Sequence, residues 1–418
     1  MKIAILTDEF PPEHSGGGAV IPFDLAREFI KRGHRVLVIT TTDQSAKAGA
    51  SLYEGVDVVR ILRKPVHPRW SAWRCLYNRE MVSQVRSLLG EFKPDVVHAH
   101  NVHIHLSYFT LRVARRFAHA VFFTAHDAMT YHYGKHDDFL KKQGTDNPYH
   151  VTWWNIFSIY RFRYNPFRNV AIRWCLRSVT QVVAVSEALK AGLEANGIRN
   201  VAVIHNGVDV ARWRLSKDSN LDEFRRTHAI EGKKCLLFGG RLSGGKGAEV
   251  IVRALPAIVQ AEPRAALLII GRENAYAARM RKLASDLGVQ DHLIFLGWIS
   301  GEDLKMAYHV AEVVVVPSIY LDPFPTVILE AMACKKPVVA TCYGGAREMV
   351  QETITGRVID PFDIGAMGRA ISEMLVDGRK MDEMGDAGYL RVSAEFTLTR
   401  QVDAYEGLFV SALSIQSR

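Results

Sequence analysis

Two segments in the second half of the chain have the residue types and spacing to hold a diphosphate. The first is Phe238-Gly239-Gly240-Arg241-Leu242-Ser243-Gly244-Gly245-Lys246-Gly247. An apolar run enters a glycine-rich turn carrying two cations, and a helical pattern follows. Glycine lets a backbone approach a ligand closely, and Arg and Lys neutralise a diphosphate leaving group. The spacing is neither Walker A, which closes on a Lys-Ser/Thr pair, nor the dinucleotide fingerprint Gly-x-Gly-x-x-Gly. The second segment runs from Pro317 through Asp322-Pro323-Phe324-Pro325-Thr326-Val327 to Glu330 and Ala333. It follows an apolar strand pattern and opens a helix at Pro325 or Thr326, where proline is favoured. Free N–H groups and the positive end of the helix dipole suit a diphosphate there. Glu330, one turn in, can hydrogen-bond ribose hydroxyls, and Asp322 in the loop can reach hydroxyls further along the same ligand. A solvated helix residue is the alternative for Glu330.

The first half offers a second set. Asp8-Glu9-Phe10-Pro11-Pro12-Glu13-His14-Ser15-Gly16-Gly17-Gly18-Ala19 places three glycines between a strand and a helix, a further cradle of backbone N–H groups. A flexible surface loop is the competing reading, disfavoured by the backbone entropy of consecutive glycines at a helix start. His126-Asp127 follows the strand Val121–Thr124, where open-sheet chemistry belongs. His98, His100, His103 and His105 crowd the end of another strand, at spacings that match no common metal-ligand set. We read His98 as a packed core residue and His100 as near the acceptor.

The elements that must position these groups alternate β-branched apolar runs with helical stretches, the pattern of a parallel sheet covered by helices. Predicted strands are Lys2–Thr7, Arg35–Thr40, Val56–Ile61, Asp95–His98, Val121–Thr124 and Val182–Val185. In the second half they are Cys235–Gly239, Ala266–Ile270, Leu293–Leu296, Val313–Val316, Pro337–Ala340 and Arg357–Ile359. A helix is predicted over Ile21–Arg32, closed by Gly33. The 418 residues suit two domains of about 200 residues each. We place an acceptor domain at 1–205 and a nucleotide domain at 206–385, with a helical tail, 386–418, crossing back to brace the first.

No apolar stretch approaches the roughly 18 residues a membrane span needs. The N-terminal apolar run breaks at once into Asp8-Glu9 and lacks the length and cleavage site of a signal peptide. Five cysteines without metal-ligand spacing read as reduced thiols of a cytoplasmic protein. The net charge of +9 is concentrated in the first half: residues 1–205 hold 27 Lys and Arg against 17 Asp and Glu, and the remainder hold 26 against 27. A basic half suits nucleic acid, anionic lipid or a phosphorylated acceptor. Within it, Trp153–Arg177 interleaves eight aromatic residues with five arginines and no acid, and Arg63–Arg79 echoes it. Such segments lie well on an anionic bilayer. A helical insertion with its aromatics packed inside weighs equally, and single-stranded nucleic acid is the weakest alternative, so none is expected as a partner.

Taken together, these motifs resemble the retaining glycosyltransferases of family 4. The acidic-x7-Glu signature corresponds to Asp322 and Glu330, and the Gly-Arg-x4-Lys-Gly element to Gly240-Arg241 with Lys246-Gly247. Asn206-Gly207-Val208-Asp209, Val185-Ser186-Glu187 and His126-Asp127 complete the match in order along nearly the whole chain. The resemblance implies a GT-B fold, α/β, with two Rossmann-like domains facing each other across a cleft. It further implies transfer of a sugar from a nucleotide-diphosphate sugar to a hydroxyl acceptor, a glycan or lipid-linked, with retained configuration and no cofactor or metal. In that assignment Glu330 holds the ribose, and Arg241 and Lys246 hold the pyrophosphate. Gly240, Asp322, Phe324, Pro325, Thr326 and Val327 line the donor site, and Gly16 and Gly17 lie near the phosphates. His126 meets the transferred sugar; His100, Asp127 and Asn206 lie on the acceptor side. No Asp-x-Asp occurs in the sequence to hold a metal. Four positions depart from the family pattern: Asp322 where Glu is usual, Pro325 where Gly is common, and Lys335 and Lys336 in place of a glycine turn. A nucleotide-sugar 2-epimerase on the same fold and a catalytically inactive nucleotide-sugar-binding subunit are the competing readings.

Overall fold

A computed structural model describes residues 1–14, 16–137, 139–140 and 147–416. Ser15 of the glycine loop and the last two residues of the tail lie outside them. The chain forms two compact units, Met1–Asn206 with Leu398–Arg418, and Gly207–Thr397.

The first unit is built on β1 (Lys2–Leu6), β2 (Arg35–Thr42), β3 (Gly49–Tyr53), β4 (Val56–Leu62), β5 (Val96–Ala99), β6 (Ala120–Ala125), β7 (Gln181–Ala184) and β8 (Val201–Val203). Their order in the sheet is β3-β4-β2-β1-β5-β6-β7-β8. All neighbours are parallel except the β3–β4 hairpin, whose turn residues Glu54 and Gly55 both take positive φ, as a tight hairpin requires. The six predicted strands are all present, and β3 and β8 are additional. β3 is exposed along most of its length, so it carries no buried face to leave a period-2 signal; β8 has only three residues.

The second unit contains β9 (Lys234–Gly239), β10 (Ala265–Ile270), β11 (Leu293–Gly297), β12 (Ala311–Val316), β13 (Val338–Thr341) and β14 (Gly356–Ile359). All are parallel, in the order β11-β10-β9-β12-β13-β14. Leu236, Phe238, Leu267, Ile269, Val313 and Val315 pack with the helices Ala248–Ala261 and Ile364–Val376. These strands are buried on both faces, which is why they read as continuous apolar runs.

The tail differs from the predicted brace over 386–418. Gly378–Glu395 is a helix of the second unit, and only Leu398–Gln416 joins the first. There Phe409 sits 4.9 Å from Phe122 and 5.7 Å from Phe29, ring to ring. Fully burying such a side chain contributes about 1.5–3 kcal/mol. Arg32 pairs with Asp403 at 2.7 Å and Glu406 at 2.6 Å, setting the register of the helix. The break at Phe396-Thr397 carries no Gly or Pro, so helical periodicity ran through it unmarked.

In both sheets the order reverses direction at one place, between β1 and β5 in the first and between β9 and β12 in the second. Ligands of open parallel sheets bind at such switch points, beyond the carboxyl ends of the strands. The glycine loop after β1 and the His100 loop after β5 flank one; the Gly239–Gly247 and Pro317–Pro325 loops flank the other.

Candidate active site

In the second unit the two loops interlock. Gly247 caps the helix Ala248–Ala261 at φ 75°, and a Cβ there would lie 1.8 Å from the Pro317 carbonyl oxygen. Only glycine allows this approach. Ile319 N then donates to Gly245 O at 3.0 Å. Gly240 turns at φ 142° beside the Lys246 stem. Gly344 gives the same allowance on the other side of the Pro317–Pro325 loop, where a Cβ would meet Asp322 O at 2.2 Å.

Asp322 is buried at 4% exposure. Its Oδ2 accepts from Lys246 Nζ at 2.6 Å and from Ser318 Oγ at 2.7 Å. Burial acts to raise the carboxyl, but the charge and hydrogen bond of Lys246, with hydrogen bonds from Ser318 and Tyr320, outweigh it and hold the group below its ordinary value. Sequence spacing did not reveal this pair, because its members are 76 positions apart and meet only through the β9–β12 pairing.

Glu330, half-buried in the helix Thr326–Ala333, accepts from Tyr308 OH at 2.5 Å. Burial raises its carboxyl above the ordinary value, against hydrogen bonds from Tyr308 and Thr326 and the charge of Arg212. Tyr308 carried no motif and is a functional-edge residue that sequence reading missed. It is reached from Gly239, where a Cβ would lie 3.6 Å from its hydroxyl and 3.5 Å from Val327. Pro325 is the N-cap of the Glu330 helix, in the extended region at φ −68°. Phe324 is buried, edge-on to Phe396 at 5.8 Å. Arg241 is exposed and makes no ion pair among the described residues. The carboxyl end of β9 and β12 thus carries a lysine–carboxylate pair, a second carboxylate, an exposed guanidinium and a helix N-terminus.

In the first unit the glycine run does not precede the helix as predicted. Gly16 is its N-cap, and Gly17 and Gly18 form the first turn of Gly17–Lys31. A Cβ on Gly16 would meet nothing within 4 Å, and one on Gly18 would press on Asn101 Nδ2 at 3.3 Å. Asp8 is fully buried and accepts from the backbone N–H groups of Ile104 at 2.6 Å, His105 at 3.0 Å and Leu106 at 2.8 Å. It ties the β1 loop to the loop after β5.

His100, expected near the acceptor, lies behind His126. Its side chain is fully buried, and its Nδ1 lies 2.8 Å from His126 Nε2, so His126 covers it. His126 is partly exposed at the carboxyl end of β6. His98 is buried as a core residue, 2.9 Å from Thr124 Oγ1. Asp127 caps a turn by accepting from Met129 N at 2.8 Å, and lies 3.5 Å from His103. Asn206 is buried against Gln401 of the tail helix. Among the described residues, no group of three or more His, Cys, Asp and Glu converges as a metal-ligand set.

The basic aromatic segments are partly packed and partly exposed: Arg168 is buried with its guanidinium over the Tyr133 ring, and Tyr160 and Tyr164 lie against that ring. Trp153, Trp154, Phe162 and Phe167 are 64, 59, 85 and 65% exposed, and Ile156 is the buried side chain of the helix Trp153–Tyr160. Trp70, Trp73 and Tyr77 are also exposed. Among the described residues no helix is long and apolar enough to cross a membrane.

Two Rossmann-like units with these loops at their switch points are the GT-B architecture of glycosyltransferases. The structure of Anabaena HepE in complex with UDP matches this chain with a TM-score of 0.73 at 22% identity, over 98% of this chain and all of that one. Residues 15–212 match the model of Glycosyltransferase Family 4, and residues 220–391 that of Glycosyl transferases group 1. An uncharacterized glycosyltransferase of Methanocaldococcus jannaschii is 30% identical over 391 residues, 90% of each chain. A GDP-mannose-dependent alpha-(1-6)-phosphatidylinositol monomannoside mannosyltransferase of Mycolicibacterium smegmatis is 34% identical over 188 residues, 44% of this chain and 49% of the relative. The chain belongs to glycosyltransferase family 4, and it is a glycosyltransferase.

Proposed function

We propose that the chain moves a sugar from a nucleotide-diphosphate sugar to a hydroxyl acceptor with retention of configuration, its own cations carrying the leaving-group charge. The observation that carries this reading is that Lys246, Asp322, Arg241 and Glu330 all follow the carboxyl ends of the neighbouring strands β9 and β12, with Lys246 paired to Asp322. Glu330 accepts from the ribose hydroxyls. Arg241, Lys246 and the N-terminus of Thr326–Ala333 stabilise the diphosphate as the glycosidic bond breaks, because preorganised donors act where charge develops. In the first unit, Gly16 and Gly17 are read as offering backbone N–H groups to a phosphate, and His126 as meeting the transferred sugar. The leaving phosphate oxygen takes the proton of the attacking acceptor hydroxyl. No metal is required in this scheme. The UDP in the HepE structure and the GDP-mannose dependence of the mycobacterial relative support a nucleotide-sugar donor.

For the acceptor we favour a lipid-linked or membrane-borne glycan, in envelope or glycoconjugate synthesis, met at the cytoplasmic face of an anionic membrane. The exposed Trp153, Trp154, Arg161, Phe162, Arg163 and Phe167, with Arg69 and Trp70, support this, as does the phosphatidylinositol-linked substrate in the relative's name. A thermal-shift panel of nucleotide sugars identifies the donor, since a ligand of the native state raises its melting temperature. Nucleotide release from that donor, with and without chelator, then tests the reaction. Loss of activity on chelation, restored by manganese, refutes the cation-only leaving-group scheme. Epimerised donor without release refutes transfer, and binding without turnover on any acceptor marks an inactive subunit.

A further inference from the structure

Behind His126 lies a file of buried imidazoles that the proposed reaction does not use. The His100 and His126 rings are inclined by only 19° with centroids 5.1 Å apart. Their Nδ1···Nε2 distance is 2.8 Å. That centroid separation is one hydrogen-bond length plus two ring radii, so the rings lie edge to edge and share a single in-plane proton. One imidazole donates and the other accepts.

The direction follows from the far side of His100. Its Nε2 is buried and has no hydrogen-bond partner among the described residues. If His126 donated, the His100 proton would sit on Nε2 and leave a buried N–H unpaired, the rarer and costlier arrangement. If His100 donates from Nδ1, its Nε2 is a bare lone pair. The same rule applied to His98, whose Nδ1 is the nitrogen without a partner among the described residues, puts that proton on Nε2 toward Thr124. Burial keeps both rings of the pair neutral: His126 is lowered to about 4, and His100 well below its ordinary value. The file is held from behind, since His98 lies 4.1 Å from the His100 ring and 4.5 Å from Tyr405, centroid to centroid. Tyr405, on the tail helix, contacts Thr124 Oγ1 at 3.0 Å.

We propose that His100 is a positioning residue that locks His126 in the tautomer with its proton on Nδ1, so that His126 meets the donor sugar as a hydrogen-bond donor to a sugar oxygen. This rests on the reading above that His126 touches the transferred sugar. It makes His126 an orienting group, with proton acceptance left to the departing phosphate.

The test is long-range 15N–1H correlation of the 15N-histidine-labelled full chain near neutral pH, which reads each tautomer directly. The expected result for the unmodified protein is His126 protonated on Nδ1 and bare on Nε2. His126 protonated on Nε2 overturns the proposal, and this readout needs no variant. His100→Asn keeps an N–H donor near the Nδ1 position, and His100→Leu removes it. Leu is expected to release the tautomer and lower kcat by about tenfold, the effect of one misdirected hydrogen bond, with affinity for the free nucleoside diphosphate unchanged. Asn is expected to restore both tautomer and rate. An unchanged His126 tautomer in the Leu variant also overturns it. Full turnover of His126→Ala, together with the Nδ1 tautomer in the unmodified protein, would instead overturn the sugar-contact reading and leave the pairing standing.

Discussion

Replacing Asp322 by Asn removes one negative charge and almost no volume, and Ser318 Oγ can still donate to the remaining amide oxygen. What is lost is the partner of Lys246, 2.6 Å away. At an effective dielectric of about 20, a pair at that distance attracts by roughly 6 kcal/mol. The Asp322 side chain is only 5% exposed, and desolvating it offsets several kcal/mol of that attraction. A net coupling of about 1.5–3 kcal/mol remains, the usual range for hydrogen bonds to charged groups. The assay is denaturant unfolding of four proteins: the unmodified chain, Asp322→Asn, Lys246→Met and the double variant. The coupling is the amount by which the two single losses fail to add. In a domain the size of the second unit, each kcal/mol shifts the melting temperature by about 2–4 °C, so Asp322→Asn should melt roughly 3–12 °C lower. The pH dependence has a definite sign. Because the native carboxyl lies below its ordinary value of 3.8, the stabilisation is fully present above that value and is lost as pH falls through the lower native one. A coupling below about 0.5 kcal/mol, the level of an exposed surface pair, would refute the argument that this ion pair braces the loop.

Asp322→Ala should reduce turnover far more than affinity for the free nucleotide, measured by kinetics and calorimetry; equal losses would place Asp322 on the nucleotide. Glu330 is raised by burial, so its ionisation opposes folding, and that opposition grows as pH rises through the native value. Glu330→Gln should therefore melt higher at neutral pH while binding nucleotide about tenfold more weakly, one charged hydrogen bond lost; unchanged affinity would return Glu330 to a structural role. Gly247→Ala forces a Cβ to 1.8 Å from Pro317 O at positive φ and should destabilise by about 3 kcal/mol or more, read by denaturant titration; a near-neutral result would mean the two loops do not interlock. Binding to anionic liposomes should fall with salt and fall further in Arg161→Glu/Arg163→Glu; full retention in the supernatant at low salt would end the membrane reading.

The amino-acid pattern alone was enough for twelve of the strands, because buried parallel strands are continuous β-branched runs, and for the loops that carry Arg241, Lys246, Asp322 and Glu330. Those signals are local: a glycine turn, a proline at a helix start, a carboxylate one turn in. The exposed hairpin strand Gly49–Tyr53 and the break at Phe396-Thr397 left no such mark. Tertiary structure decided everything that depends on which strand lies beside which. Pairing β9 with β12 brought Lys246 onto Asp322, the folding of the helix after β12 back along that strand brought Glu330 onto Tyr308, and pairing β5 with β6 put His100 behind His126. Hydrogen bonds between residues distant in sequence are set by sheet order, and sheet order is a property of the whole packed layer that no local window of residues contains.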